Sequence, residues 1–113
     1  VVDLGWHFEG RDALGEVAFA WLEEVLEGRA VTVLPLKTFI SFVARSNFAF
    51  LRVKKQGVEI SLVLDRAVDH PRLARVDAYG GKKSFYRFRF SEAGELDEGL
   101  RELVLEAYDG GRG

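Results

Sequence analysis

Between Val31 and Phe90 apolar and polar residues alternate in short runs broken by turn residues, and on either side of that span the apolar spacing lengthens to three and four. A period of two places successive side chains on opposite faces of a strand, whereas a period near 3.6 gathers them on one face of a helix. Helical pattern at both ends and strand pattern between predict an α+β domain. It is expected to be an antiparallel sheet of about five strands with the N-terminal and C-terminal helices packed on one face.

The first helix is predicted from Asp12 to Glu27, with Leu14, Val17, Ala18, Trp21, Leu22 and Val25 as its apolar stripe, Asp12 as N-cap and Gly28 as stop. Gly15 inside it costs about 1 kcal/mol in helix propensity. The second helix reads from Leu100, Leu103, Val104, Ala107 and Tyr108, with Asp97 as cap and Gly110–Gly111 as stop. Strands are predicted at about Val31 to Leu36, Thr38 to Arg45, Phe48 to Lys54, Val58 to Leu64 and Ser84 to Phe90. The short connections at Ser46–Asn47 and Lys55–Gln56–Gly57 imply consecutive hairpins, and Asp69 to Lys83 reads as a loop.

The alternation also assigns faces. Ile40, Phe42 and Ala44, then Val58, Ile60, Leu62 and Leu64, then Tyr86, Phe88 and Phe90 are expected under the helices. The opposite face receives Phe39, Ser41, Val43 and Arg45, then Glu59, Ser61 and Val63, then Phe85, Arg87 and Arg89. In the third strand Ala49, Leu51 and Val53 separate from Phe48, Phe50, Arg52 and Lys54, and alternation alone does not choose the inward set.

The chain of 113 residues, 48% hydrophobic and 30% charged, suits one domain over residues 1–113 with an ordinary soluble composition. It begins at Val1 and contains no methionine, so it is expected to be an excised domain or the C-terminal part of a longer protein. Without cysteine it forms no disulfide, thiolate metal site or cysteine nucleophile. That suits the cytoplasm. No apolar run approaches the length of a membrane span, and no membrane partner is expected.

The formal net charge of −2 conceals a partition: residues 1–30 carry −5, residues 31–90 carry +8 and residues 91–113 carry −5. A basic sheet is therefore set between acidic helices. Its open face, bearing cations beside Phe39, Phe48 and Phe85, offers charge for phosphates and rings for stacking. An antiparallel sheet with one solvated face also carries polar residues for solubility alone, and acidic helices close by would neutralise it.

Catalytic patterns are sparse. His7 and His70 stand apart, without metal-ligand spacing, so no metal and no cofactor is expected. His70 beside Asp69 has the makings of an oriented base, against the simpler reading of an exposed loop histidine. Gly80–Gly81–Lys82–Lys83 lacks the glycine spacing of a phosphate loop and reads as a turn. No serine sits in a nucleophile elbow.

Four segments in this order, LPLKTFISF at Leu34 to Phe42, NFAFLRV at Asn47 to Val53, VDHPRL at Val68 to Leu73 and RFRFSEAGELDEGLRELVLEAY at Arg87 to Tyr108, resemble the bacterial domain of unknown function 5655 family. The resemblance covers most of the chain and implies a small cytoplasmic α+β domain without an established activity. It also implies that Tyr86 stands where members often carry histidine, which weakens a general base at that position. Lys37 is the motif position most readily carried over as functional, either holding an anion or pairing with a carboxylate such as Glu59.

The resulting expectation is a noncatalytic binding or accessory domain that contacts an anionic ligand or nucleic acid. Lys37, Arg45, Arg52, Arg87 and Arg89 would hold phosphate or carboxylate, and Phe39, Phe48 and Tyr86 would form the apolar wall. The alternative is a structural role, in which the same face forms a homodimer or docks on a neighbouring domain with no small ligand.

Overall fold

The computed structural model describes residues 2–112. Its elements are α1 (Leu14–Val25), β1 (Thr32–Pro35), β2 (Ile40–Val43), β3 (Asn47–Val53), β4 (Val58–Leu64), β5 (Leu73–Gly80), β6 (Lys83–Phe90) and α2 (Glu98–Arg112), with short 3₁₀ turns at Leu4–His7 and Ala93–Glu95. The sheet is antiparallel, in the order β1-β2-β3-β4-β6-β5. It has six strands where sequence suggested about five.

The additional strand is β5, which occupies most of the stretch expected to be a loop. Its sequence, LARVDAYG, alternates from Ala74 to Ala78, but the apolar half is two alanines and one valine, a weak signal for an edge strand exposed along most of its length. Gly80 and Gly81 then turn the chain into β6, Gly81 with a φ of 60° that favours glycine.

Burial explains the layering. The inward residues of β2, β3, β4 and β6, among them Phe42, Leu51, Ile60, Leu62 and Phe88, share one core with Ala18 and Leu22 of α1 and Leu100 and Val104 of α2. The stripe of α2 is the expected one. In α1 Phe19 replaces Val17, which is exposed, and its ring packs against Phe8 and Phe42. Gly15 has a tertiary reason: a Cβ there would collide with the side chain of Val53, so glycine lets α1 lie close to β3.

Asp12 ties the start of α1 to the β3–β4 turn. Its carboxylate accepts from Leu14 N–H at 2.9 Å and from Gly57 N–H at 2.5 Å. These two hydrogen bonds, Gly57 first, hold its carboxyl below the usual carboxylate range. Asp97 acts as the expected cap of α2, accepting from Leu100 N–H at 2.8 Å.

Gly110–Gly111 does not stop α2, which continues to Arg112. The Gly111 carbonyl accepts from Arg45 N–H and Ser46 N–H, both at 3.0 Å, so the β2–β3 turn caps this helix from a distant part of the chain. Gly111 itself is packed on Phe48, where an added Cβ would lie 2.9 Å from the Phe48 Cβ.

Candidate ligand-binding face of the sheet

The face away from the helices is built from outward residues of four neighbouring strands. Cross-strand pairing sets Phe50 against Ser61 and Arg52 against Glu59, then Glu59 against Arg89 and Ser61 against Arg87. The floor is thus the Glu59–Ser61 step of β4, with β3 on one side and β6 on the other. Phe39, just before β2, and Asp77 of β5 complete a hollow of about 190 Å³.

Rings make one wall of this hollow. Phe39 meets Phe50 at 5.2 Å between centroids, Phe50 meets Phe85 at 5.3 Å, and Phe85 meets Tyr79 at 4.7 Å. The first and last contacts are edge-on. This geometry supports aromatic pairs and leaves the phenylalanines half-buried at the surface.

The polar part is organised by Glu59, a carboxylate only 3% exposed. Arg89 Nε lies 2.8 Å and Lys54 Nζ 3.1 Å from its Oε2. Burial works to raise the Glu59 pKa, but the hydrogen bonds from Arg89 and Lys54 and the charges of Lys54 and Arg87 outweigh it, and the carboxyl stays below its usual range. It remains an anion. Asp77 is paired with Arg75 at 2.9 Å. Arg52 and Arg87 line the hollow with no carboxylate in ion-pair range among the described residues.

Of the residues anticipated as binding, Phe39, Arg52 and Arg87 meet in this hollow. Arg89 stands on the same face but is engaged by Glu59 and opens onto a neighbouring depression with Lys54 and Gly57. Lys37 is exposed in the β1–β2 turn, next to Thr38 of the hollow; its carbonyl accepts from Trp6 Nε1 at 3.1 Å. Glu59 pairs with Lys54 and Arg89, not with Lys37.

Three residues lie elsewhere. Arg45 is past the end of β2, in the turn beside Tyr108 and Arg112 of α2. Phe48 is fully buried on the helix side, its ring 5.5 Å from that of Tyr108. The cause is a β-bulge: the β2–β3 register shifts between Phe42↔Ala49 and Val43↔Asn47, leaving Phe48 as the extra residue, and it turns to the same side as Ala49. Tyr86 is also on the helix side, where its hydroxyl donates to the Arg66 carbonyl at 2.7 Å.

Phe85, expected on the open face as a stacking ring, is part of the wall, whereas Phe50, Glu59, Ser61 and Asp77 were not among the anticipated binding residues. For Glu59 and Ser61 the signal was their outward parity, for Phe50 alternation left the face undecided, and for Asp77 there was none without β5.

His70 is held in place by both nitrogens. Nδ1 accepts from Arg72 N–H at 3.0 Å, so Nε2 carries the hydrogen and faces Asp97 Oδ1 at 3.3 Å. Its partner is Asp97 and not Asp69, and its side chain is only 7% exposed rather than open to solvent. The ring stands edge-on to Phe88 and fastens the β4–β5 connection to the start of α2. Among the described residues no cluster of His, Asp and Glu could hold a metal ion, and no helix is long and apolar enough to cross a membrane.

With this arrangement established, a comparison with protein families decides the affiliation: the model of a domain of unknown function (DUF5655) matches residues 6–110. The chain belongs to the DUF5655 family. No curated protein and no solved structure matches it. For this DUF5655 chain, the match spans α1, all six strands and α2 as far as Gly110, so the hollow lies within the family domain.

Proposed function

We propose that this DUF5655 domain is a noncatalytic binding module whose open sheet face takes an anionic ligand carrying a flat ring, with a nucleotide unit of single-stranded nucleic acid as the representative case. The observation that carries this reading is the pairing of two cations lacking a carboxylate partner, Arg52 and Arg87, with a wall formed by Phe39, Phe50 and Phe85 around one hollow. Phosphate is attracted to the guanidiniums, and a base finds apolar ring surface beside them. Ser61 on the floor adds a hydroxyl that donates or accepts. Glu59 holds Arg89 and Lys54 in place and leaves Arg52 and Arg87 for the ligand.

The test is fluorescence anisotropy of a labelled single-stranded oligonucleotide titrated with the domain across a range of salt. Two phosphate contacts give a slope of log K against log salt of about −1.4. Salt-independent binding, or none at low salt, overturns the proposal; a salt-resistant dimer formed through the phenylalanine face would account for the second outcome.

A further inference from the structure

The two edges of the sheet are protected unequally. At β1, a four-residue strand ending in Pro35, the Pro35 carbonyl accepts from Val2 N–H at 2.8 Å. Short length, proline and a covering segment are common ways of blocking an edge. β5 has none of the three: it runs for eight residues, contains no proline and bears two exposed large apolar side chains, Val76 at 48% and Tyr79 at 42%.

From this edge we infer that two copies of the chain associate through β5, antiparallel and centred on Val76, to make one continuous sheet. Charge decides the register. In β5, Arg75 pairs with Arg87 and Asp77 with Phe85, so both side chains point to the open face, while Val76 opposite Tyr86 points to the helix side. A two-fold axis perpendicular to the sheet requires that facing residues share a face. Centring on Arg75 sets Arg75 against its own copy, and centring on Asp77 sets Asp77 against its own copy; both place like charges opposite one another. Centring on Val76 sets Arg75 against the second copy's Asp77, twice by symmetry, and brings the two valines together.

The regular segment is short, because register shifts at Ala74 and Tyr79 bound the run from Arg75 to Ala78. The association is therefore weak and concentration-dependent. It places two hollows on the same face, with Asp77 of each at the seam.

Sedimentation velocity of the chain over a wide concentration range, at low salt, tests this directly. The average mass is expected to rise from 12.7 kDa toward twice that value. Arg75→Asp and Asp77→Arg, each alone, are expected to weaken association on the order of tenfold or more. The doubly swapped chain Arg75→Asp/Asp77→Arg regains it, and the two single variants pair with each other when mixed. Amide exchange at β5 that slows with concentration in the wild-type chain gives a second readout that needs no variant. A chain monomeric throughout the range, with β5 exchange independent of concentration, overturns the inference. So does a dimer unmoved by the single reversals, or single variants that fold but do not pair on mixing.

Discussion

Glu59 and Arg89 face each other across β4 and β6, with 2.8 Å between carboxylate and guanidinium, and the carboxylate is buried while the arginine reaches solvent. The buried anion thus fixes the positions of exposed cations. Glu59→Gln keeps the shape and removes the charge. It is expected to lower stability by about 1 to 2 kcal/mol, less than for a fully buried pair because both cations remain hydrated. It is also expected to strengthen oligonucleotide binding, since Lys54 and Arg89 are released. Urea unfolding and anisotropy on the same variant check both halves, and weakened binding in a folded variant contradicts the second.

The pH dependence of the same group has a defined sign. Its carboxyl is depressed from an ordinary value of 4.5, so its contribution to stability is present above that pH and fades as pH falls through the lower folded value. Between pH 6 and 3 the wild-type chain is expected to lose more stability than Glu59→Gln.

Arg52→Ala and Arg87→Ala are each expected to weaken oligonucleotide binding by about tenfold and to flatten the salt slope by about 0.7. Arg45→Ala, altered at the turn beside α2, is expected to leave both unchanged. Equal losses in all three variants would point to diffuse charge attraction without a defined hollow.

Phe48 and Phe50, two residues apart, separate packing from binding. Phe48→Ala empties a core position and is expected to cost about 3 to 5 kcal/mol. Phe50→Ala, at a half-buried wall of the hollow, is expected to cost less stability and to weaken binding by severalfold. Thermal melts and anisotropy of both variants check the contrast.

His7 is buried among the described residues with neither ring nitrogen hydrogen-bonded, and burial, with the nearby Arg11 charge, pushes its pKa below 6.5 despite an opposing pull from the Leu36 carbonyl. Unfolding therefore takes up a proton below that pH, and the native state loses stability as pH falls from 6.5. His7→Leu is expected to stabilise the domain by about 1 kcal/mol at pH 7.5 and by more at pH 5.5. Urea midpoints at the two pH values measure the difference.

The parts of this fold legible in sequence are those set by local periodicity. The stripe of α2 and the alternation of β4 and β6 put Leu100, Ile60 and Phe88 where they were expected. Phe48 was not legible, because a bulge turns it inward and a bulge depends on the partner strand. β5 was missed since its alternation runs only from Ala74 to Ala78, with small apolar residues on an edge that is exposed along most of its length. The extension of α2 through Gly111 rests on donors from Arg45 and Ser46, far away in sequence. In the hollow, Arg52 and Arg87 could be nominated by type and parity, but their freedom from carboxylates follows from Glu59 engaging Lys54 and Arg89 instead.

The strand order has a kinetic meaning. The pairings β1–β2, β2–β3 and β3–β4 each join sequence neighbours, so this meander assembles by short loop closures. β5 and β6 also form a hairpin of their own, and β6 is the strand that joins it to β4. The hairpin can therefore form separately and dock in one event, and α2 then lies over β3 and β4 to complete the core. The topology thus supplies folding with two local units joined through the single β4–β6 seam.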